Sequence, residues 1–325
     1  QAFLKTEFGL DTPGLEPLTG GRVNRLWRCG DWVVKVYDHR HVPRERAERA
    51  VQLQTVAATE GLPAPQPLAT RSGSLWAESA EGMVVVMPFI RGHRRARGTL
   101  NATEATSLGG LLGRLHHALR HLPGEAAPTP PSPAAILTRW ECLKAQARSV
   151  ERPTAFDQVV CDTAEYVAAS IMRMTPVDWT AQPWQMCHGD LHIDNILFDD
   201  RGAVVGLLDF DNAAPSWPGV EVMMAWNLCL GADPGEPDLS PEAALFFNAY
   251  RQANRSAGDL RAALRAYWFT LVSNTWPSAI RYREGTVKAE WTEILSLRYR
   301  AARWIEANLE RTSTWLESSA DPEAV

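Results

Sequence analysis

The stretch at residues 187–213, CHGDLHIDNILFDDRGAVVGLLDFDNA, constrains this chain more than any other. Asp190 is followed five residues later by Asn195, and fourteen residues beyond that stands Asp209, closing the apolar run Val204, Val205, Gly206, Leu207, Leu208. Between the two lie the turn formers Asp199, Asp200, Arg201 and Gly202, a pattern that predicts a β-hairpin. A hairpin returns the end of its second strand to the beginning of its first, so Asp209 is expected beside Asn195. An amide and a carboxylate held together suit a hard divalent cation, which takes oxygen ligands. A second carboxylate set apart from them, Asp190, has the place to accept a proton from an attacking hydroxyl. Phosphoryl transfer from a nucleoside triphosphate needs this combination.

HGDLHIDN followed by LLDFD resembles the signature of the aminoglycoside phosphotransferase family, small-molecule kinases with a protein-kinase-like fold. Choline kinases and one type of homoserine kinase are similar. The resemblance implies ATP and Mg²⁺ as cofactors, Asp190 as the catalytic base, and Asn195 and Asp209 as metal ligands. It makes His188 a brace for the loop backbone. His192 is left either near the transferring phosphate or as a filler of the loop. Asp211 stands where a D-F-G triplet has glycine, with a part in the metal's water shell or at the substrate that ranks below Asp209.

Residues 15–88 read as short strands broken by Gly and Pro. The runs 23–29 and 32–37 flank a turn at Gly30-Asp31; Gly20 and Gly21 precede them, and Asn24 stands at the start of the first. Glycine lets backbone N–H groups come close to phosphate, so the resemblance places Gly20, Gly21 and Asn24 over the triphosphate. It makes Lys35, in W-V-V-K-V-Y, the lysine of the α- and β-phosphates. A helix over residues 43–60 is expected to supply the acid that pairs with Lys35. Glu48 is the first choice, with Glu45 and Gln52 as alternatives. The runs 74–78 and 82–88 form another hairpin, and the unbroken MVVVM at 83–87 suits a strand buried on both faces. Residues 87–92, MPFIRG, resemble the family's link between lobes, which implies adenine contacts at the backbone of Met87, Phe89 and Ile90.

Beyond the link the pattern turns helical. His93-Arg94-Arg95-Ala96-Arg97 is basic, either a solvated loop or a contact to an anionic substrate. Asn101 and Glu104 form a capping box ahead of Leu108, Leu111, Leu112, Leu115 and Leu119 at helical steps. His116 and His117 on that helix are read as structural. The proline-rich residues 123–133 admit neither helix nor strand. Helices are expected at 134–149, 156–174, 219–230, 241–254, 260–284 and 286–310, with a disordered end at 318–325. Strands first and helices afterwards indicate α+β segregation. The expected fold is therefore bilobal and protein-kinase-like, with a small antiparallel sheet and one helix at residues 1–88 for the nucleotide. A larger, mainly helical lobe at 89–325 carries catalysis and substrate. Neither G-x-G-x-x-G nor G-x-x-x-x-G-K-S/T occurs, so dinucleotide-binding and P-loop readings fall away.

The net charge of −5 gives no general affinity for nucleic acid. No apolar run approaches the ~18 residues of a membrane span and no leader opens the sequence. The five cysteines are scattered without a C-x-x-C pair, which argues against a disulfide framework or zinc site and for the cytoplasm. The thirteen tryptophans fall mostly in helical stretches and are read mainly as core. The expected partner is a small hydroxylated molecule, foremost an aminoglycoside or other antibiotic-like or amino-sugar metabolite. A homoserine- or choline-type amino alcohol is the alternative within the class. The acidic segment Asp233, Glu236, Asp238 and Glu242 is either a face for a cationic amine or a solubilising loop. An inactive kinase-like module that only binds nucleotide is the alternative from another class.

Overall fold

The computed structural model describes residues 1–12, 14–18, 24–122, 129–174, 177–231, 235–254 and 258–318. Gly20, Gly21, Asp233 and the tail at 319–325 lie outside the described residues. The first part of the chain holds α1 (Ala2–Phe8), β1 (Glu16–Pro17), β2 (Arg25–Cys29), β3 (Trp32–Tyr37), α2 (Arg44–Thr59), β4 (Ala77–Ser79) and β5 (Gly82–Pro88). The strands form one antiparallel five-stranded sheet in the order β1-β2-β3-β5-β4.

Strand alternation sorts this sheet into two faces. Val34, Val36, Val84 and Val86 pack with Leu4 and Phe8 of α1, while Tyr37, Met83, Val85 and Met87 join the larger core with α2. The apolar run of β5 is thus buried from both sides because α1, which the sequence reading did not anticipate, covers the outer face. Lys35 shares the inner face with Tyr37, and it is only 6% exposed.

The helical part begins with α3 (Ala102–Leu119), opened by the Asn101–Glu104 capping box in both directions. It continues with α4 (Pro133–Arg148), α5 (Ala155–Ser170), β6 (Gln185–Cys187), β7 (Ile196–Phe198), β8 (Val204–Leu207) and β9 (Ala214–Ser216). Then come α6 (Pro218–Ala225), α7 (Pro241–Ala253), α8 (Leu260–Ser273), α9 (Ser278–Glu284), α10 (Ala289–Ala307) and α11 (Leu309–Ser318). The single helix expected over 260–284 is two, because Pro277 lacks the N–H that would continue the ladder. α3 and α7 lie unusually close: a Cβ on Gly109 would stand 2.1 Å from the Phe246 carbonyl oxygen, so only glycine permits this approach.

The link that follows β5 is tied to both parts. The Phe89 N–H donates to the Asp31 carbonyl at 2.8 Å, and His93 exchanges two backbone bonds with Phe198. A Cβ on Gly92 would fall 2.9 Å from Leu197, so the link presses directly on the β7–β8 hairpin. Leu207 also donates to the Pro63 carbonyl at 2.8 Å. The hairpin is therefore anchored to the first lobe by backbone, not by side chains alone. Among the described residues, no helix is long and apolar enough to cross a membrane.

Candidate active site

β7 and β8 pair antiparallel with Ile196 opposite Leu207, and the Leu208 N–H donates to the Asn195 carbonyl at 2.9 Å. Asn195 thus opens the hairpin where Asp209 closes it. Asp209 itself has φ 65°, the one positive value among the described residues other than glycine. A side chain there costs on the order of 1–3 kcal/mol, a strain that collects at functional sites. The Asn195 Nδ2 donates to the Asp190 carbonyl at 2.8 Å and lies 3.2 Å from His192 Nε2. Asn195 Oδ1 is left as an oxygen donor on a residue whose backbone pairs with Leu208, next to Asp209 in the chain. That donor set fits Mg²⁺, which prefers one or two protein oxygens together with phosphate and water.

The first lobe meets this hairpin through Lys35. Its Nζ lies 3.0 Å from Asp209 Oδ1 and 2.5 Å from Asp211 Oδ1. The Tyr37 hydroxyl donates to the same Asp211 oxygen at 2.8 Å, and Asn24 Nδ2 donates to Asp211 Oδ2. Burial works against the Lys35 charge, but Tyr37, Asp211 and Asp209 outweigh it and hold its pKa well above the usual lysine range. The two carboxylates divide unequally. Burial would raise both, yet Lys35 draws Asp209 down to about 2, while burial and the Asp209 charge push Asp211 up. Asp211 therefore belongs to the heart of the cluster, closer than the sequence reading ranked it.

Glu48 is not brought to Lys35. It pairs with Arg44 one helical turn earlier, at 2.7 Å. Glu45 and Gln52 are both exposed. The side of α2 that reaches the second lobe carries Arg46, which donates to the Asp211 carbonyl at 2.8 Å and to Asn212 Oδ1. Residues two apart on a helix point about 200° apart, so a helix that presents Arg46 to this turn directs Glu48 away from it. Glu48→Ala should accordingly leave KM for nucleotide and kcat within about twofold, as exposed ion pairs contribute little. Lys35→Met should lower kcat/KM for nucleotide about 10- to 100-fold, the usual scale for a lost charged hydrogen bond. Steady-state kinetics on the two variants checks both.

Asp190 lies on the loop between β6 and β7. Asn212 Nδ2 donates to its Oδ2 at 2.9 Å, and His192 Nε2 stands 3.8 Å from the same oxygen. The loop hangs from a buried node. Glu221 of α6 is 2% exposed and accepts from the N–H groups of His188 and Gly189, at 3.1 and 2.5 Å. Its carboxylate also meets His116 Nε2 at 2.9 Å, and His116 Nδ1 meets the Tyr250 hydroxyl at 2.9 Å. The His188 ring bonds the Leu208 carbonyl through Nε2 and takes the Asp190 N–H on Nδ1. His188, like His116, holds backbone in place.

Of the residues assigned to nucleotide, Lys35 and Asn24 meet the Asp209–Asp211 turn and Glu48 does not. Gly20 and Gly21 lie outside the described residues. Met87 is buried against Gln54, Phe89 lies under the Arg28 guanidinium at 4.2 Å, and Ile90 packs toward Gly206. Glu221, Tyr37, Arg46 and Asn212 escaped the sequence reading. A lone acid inside the apolar run GVEVMMAW was the available signal for Glu221, since buried charges occur in pairs.

A strand lobe that lends a buried lysine to an acidic turn, set on a helical lobe that braces an Asp-x₄-Asn loop, defines a protein-kinase-like fold. An aminoglycoside phosphotransferase from Alicyclobacillus acidocaldarius superposes with a TM-score of 0.66 over 95% of this chain and 93% of its own, at 16% identity. An amicoumacin kinase in complex with AMP-PNP and Ca²⁺ gives 0.59 over 96% and 92%, at 14% identity. The model of the phosphotransferase enzyme family matches residues 14–267, and the chain belongs to that family. A homoserine kinase of Methylobacterium nodulans is 29% identical over 213 residues, covering 65% of this chain and 60% of the relative. One from Pseudomonas aeruginosa is 28% identical over 244 residues, covering 71% and 65%. The chain thus spans less than two thirds of the length of these relatives.

Proposed function

We propose that this chain is an ATP- and Mg²⁺-dependent phosphotransferase that moves the γ-phosphate to a hydroxyl of a small molecule. The observation that carries the reading is the meeting of Lys35 with Asp209 across the lobes, beside Asn195 and one loop away from Asp190. Asn195 Oδ1 and Asp209 would hold Mg²⁺, which when bound neutralises charge on the phosphate oxygens. Lys35 neutralises more of that charge from the sheet side. Asp190 has one oxygen held by Asn212, which leaves Oδ1 to orient the acceptor hydroxyl and take its proton. Alignment and electrostatic stabilisation then do most of the catalysis.

The acceptor is a small hydroxylated molecule, with neither nucleic acid nor membrane as partner. Structural neighbours point to an aminoglycoside or other antibiotic, and the relatives in sequence to homoserine. The acidic segment adds little weight to a cationic acceptor: Glu236 is exposed, and Asp238 contributes its backbone carbonyl to the Trp226 indole. ADP release measured across hydroxylated antibiotics, amino alcohols and hydroxy amino acids tests the reading. Turnover should appear with at least one acceptor class and vanish in Asp209→Asn, whose side chain loses the charge held at the metal position. Wild-type kcat in Asp209→Asn would remove this residue from the proposal.

A further inference from the structure

The Asp190 carboxylate has a single side-chain hydrogen bond among the described residues, the one its Oδ2 accepts from Asn212 Nδ2 at 2.9 Å. His192 Nε2, at 3.8 Å, is too far to add another. The direction of the proposed base is therefore set by one amide, and that amide is itself held from α2. The Arg46 guanidinium donates to Asn212 Oδ1 through Nη2 and to the Asp211 carbonyl through Nε, the second bond at 2.8 Å.

Donor chemistry allows this chain of bonds in one sense only. A guanidinium donates and never accepts, and a carboxylate ready to take a proton accepts and does not donate. The amide between them must turn its oxygen to Arg46 and its nitrogen to Asp190. Backbone keeps the three within reach. A Cβ on Gly189 would stand 2.0 Å from the Asn212 carbonyl oxygen, so only glycine lets the Asp190 loop lie this close to the turn. Cys187 and Ala214, which flank loop and turn, are paired in the β6–β9 ladder. The first lobe grips the same turn through the Asp211 carboxylate, which meets Asn24, Lys35 and Tyr37.

We propose that Arg46 and Asn212 are positioning residues for the transfer step: Arg46 fixes the Asn212 amide, and the amide aims the Asp190 carboxylate. The base is thereby aligned by the seating of α2 on the 210–212 turn. Both side chains are exposed, so their effect is on direction and hardly on stability. The inference rests on the phosphotransferase reading and adds to it a route from α2 to the base.

The test is single-turnover transfer by the intact chain with saturating ATP–Mg²⁺. The acceptor is whichever of L-homoserine, choline and kanamycin the parent phosphorylates fastest. Arg46→Met and Asn212→Ala should each slow transfer about 3- to 10-fold, the scale of one net hydrogen bond. KM for ATP and melting temperature should stay unchanged. The double variant should be no slower than Asn212→Ala alone, because both residues act through one amide. Arg46→Lys should recover part of the loss. In an Asp190→Asn background neither substitution should slow the residual transfer further, whereas a structural role would persist there and lower the melting temperature. Parent rates in both single variants, losses that multiply in the double variant, or undiminished losses in Asp190→Asn would each overturn the inference while leaving the kinase reading intact. No transfer by the parent to any of the three acceptors would overturn both.

Discussion

Asp190→Asn is expected to give a protein that folds, binds ATP–Mg²⁺ and acceptor, and transfers phosphate about 10²–10⁴ times more slowly than the parent. The substitution keeps the volume of the side chain and one oxygen. Asn212 Nδ2 can still donate to that oxygen, as it now does to Asp190 Oδ2 at 2.9 Å. The backbone of the loop is held by other residues: the Asp190 carbonyl by Asn195, and the Asp190 N–H by His188. What the amide lacks is the capacity to take a proton. The loss should therefore appear in kcat, with KM for ATP unchanged and melting temperature within a degree or two. Single-turnover kinetics with saturating nucleotide and acceptor reads it directly. A variant as fast as the parent would place the base elsewhere.

The second large effect lies at Glu221, which touches neither nucleotide nor acceptor. Glu221→Ala leaves the N–H groups of His188 and Gly189 and the ring of His116 without their acceptor, with His188 and His116 both in the core. Removal of one partner from a buried charged node costs about 3–5 kcal/mol, a large fraction of a domain's stability. Activity should fall as well, since the two orphaned amides lie immediately ahead of Asp190. The node has a pH signature. Burial opposes the Glu221 charge, but His116, His188 and the Gly189 amide outweigh burial and hold its pKa below the usual value. Its contribution is then fully present above the unfolded value of ~4.3 and is lost as pH falls through the lower folded value. Chemical denaturation between pH 6 and 3, chosen on that basis, should show the slope in the parent and a shallower one in Glu221→Gln. Equal stability of parent and Glu221→Ala at neutral pH would contradict the bracing role.

The helix–strand order and the hairpin were legible because each rests on local chemistry. Turn formers at 199–202 set the hairpin, and the apolar runs at 32–37 and 82–88, bounded by Gly and Pro, set the strands of the sheet. The pairing of Lys35 was not legible. It depends on which face of α2 reaches the second lobe, and a helix with acids at 45 and 48 and arginines at 44, 46 and 49 offers several registers. Packing against the 210–212 turn chose Arg46. His116 reads as structural, as it is, but its acid was not legible because it lies 105 residues away, on α6. Asp211 looked secondary because its three partners, Asn24, Lys35 and Tyr37, all come from the other lobe.

The central claim is that a hydroxyl on a small molecule receives the γ-phosphate of ATP, and the fate of that phosphate tests it most directly. ³¹P NMR of the protein with ATP, Mg²⁺ and a panel of hydroxylated acceptors follows every phosphorus at once. The account predicts a new phosphate-ester resonance that grows in step with ADP, requires Mg²⁺, and is nearly absent with Asp190→Asn. Intact ATP with every acceptor, although nucleotide binds, would contradict it and identify a kinase-like module that binds without transferring.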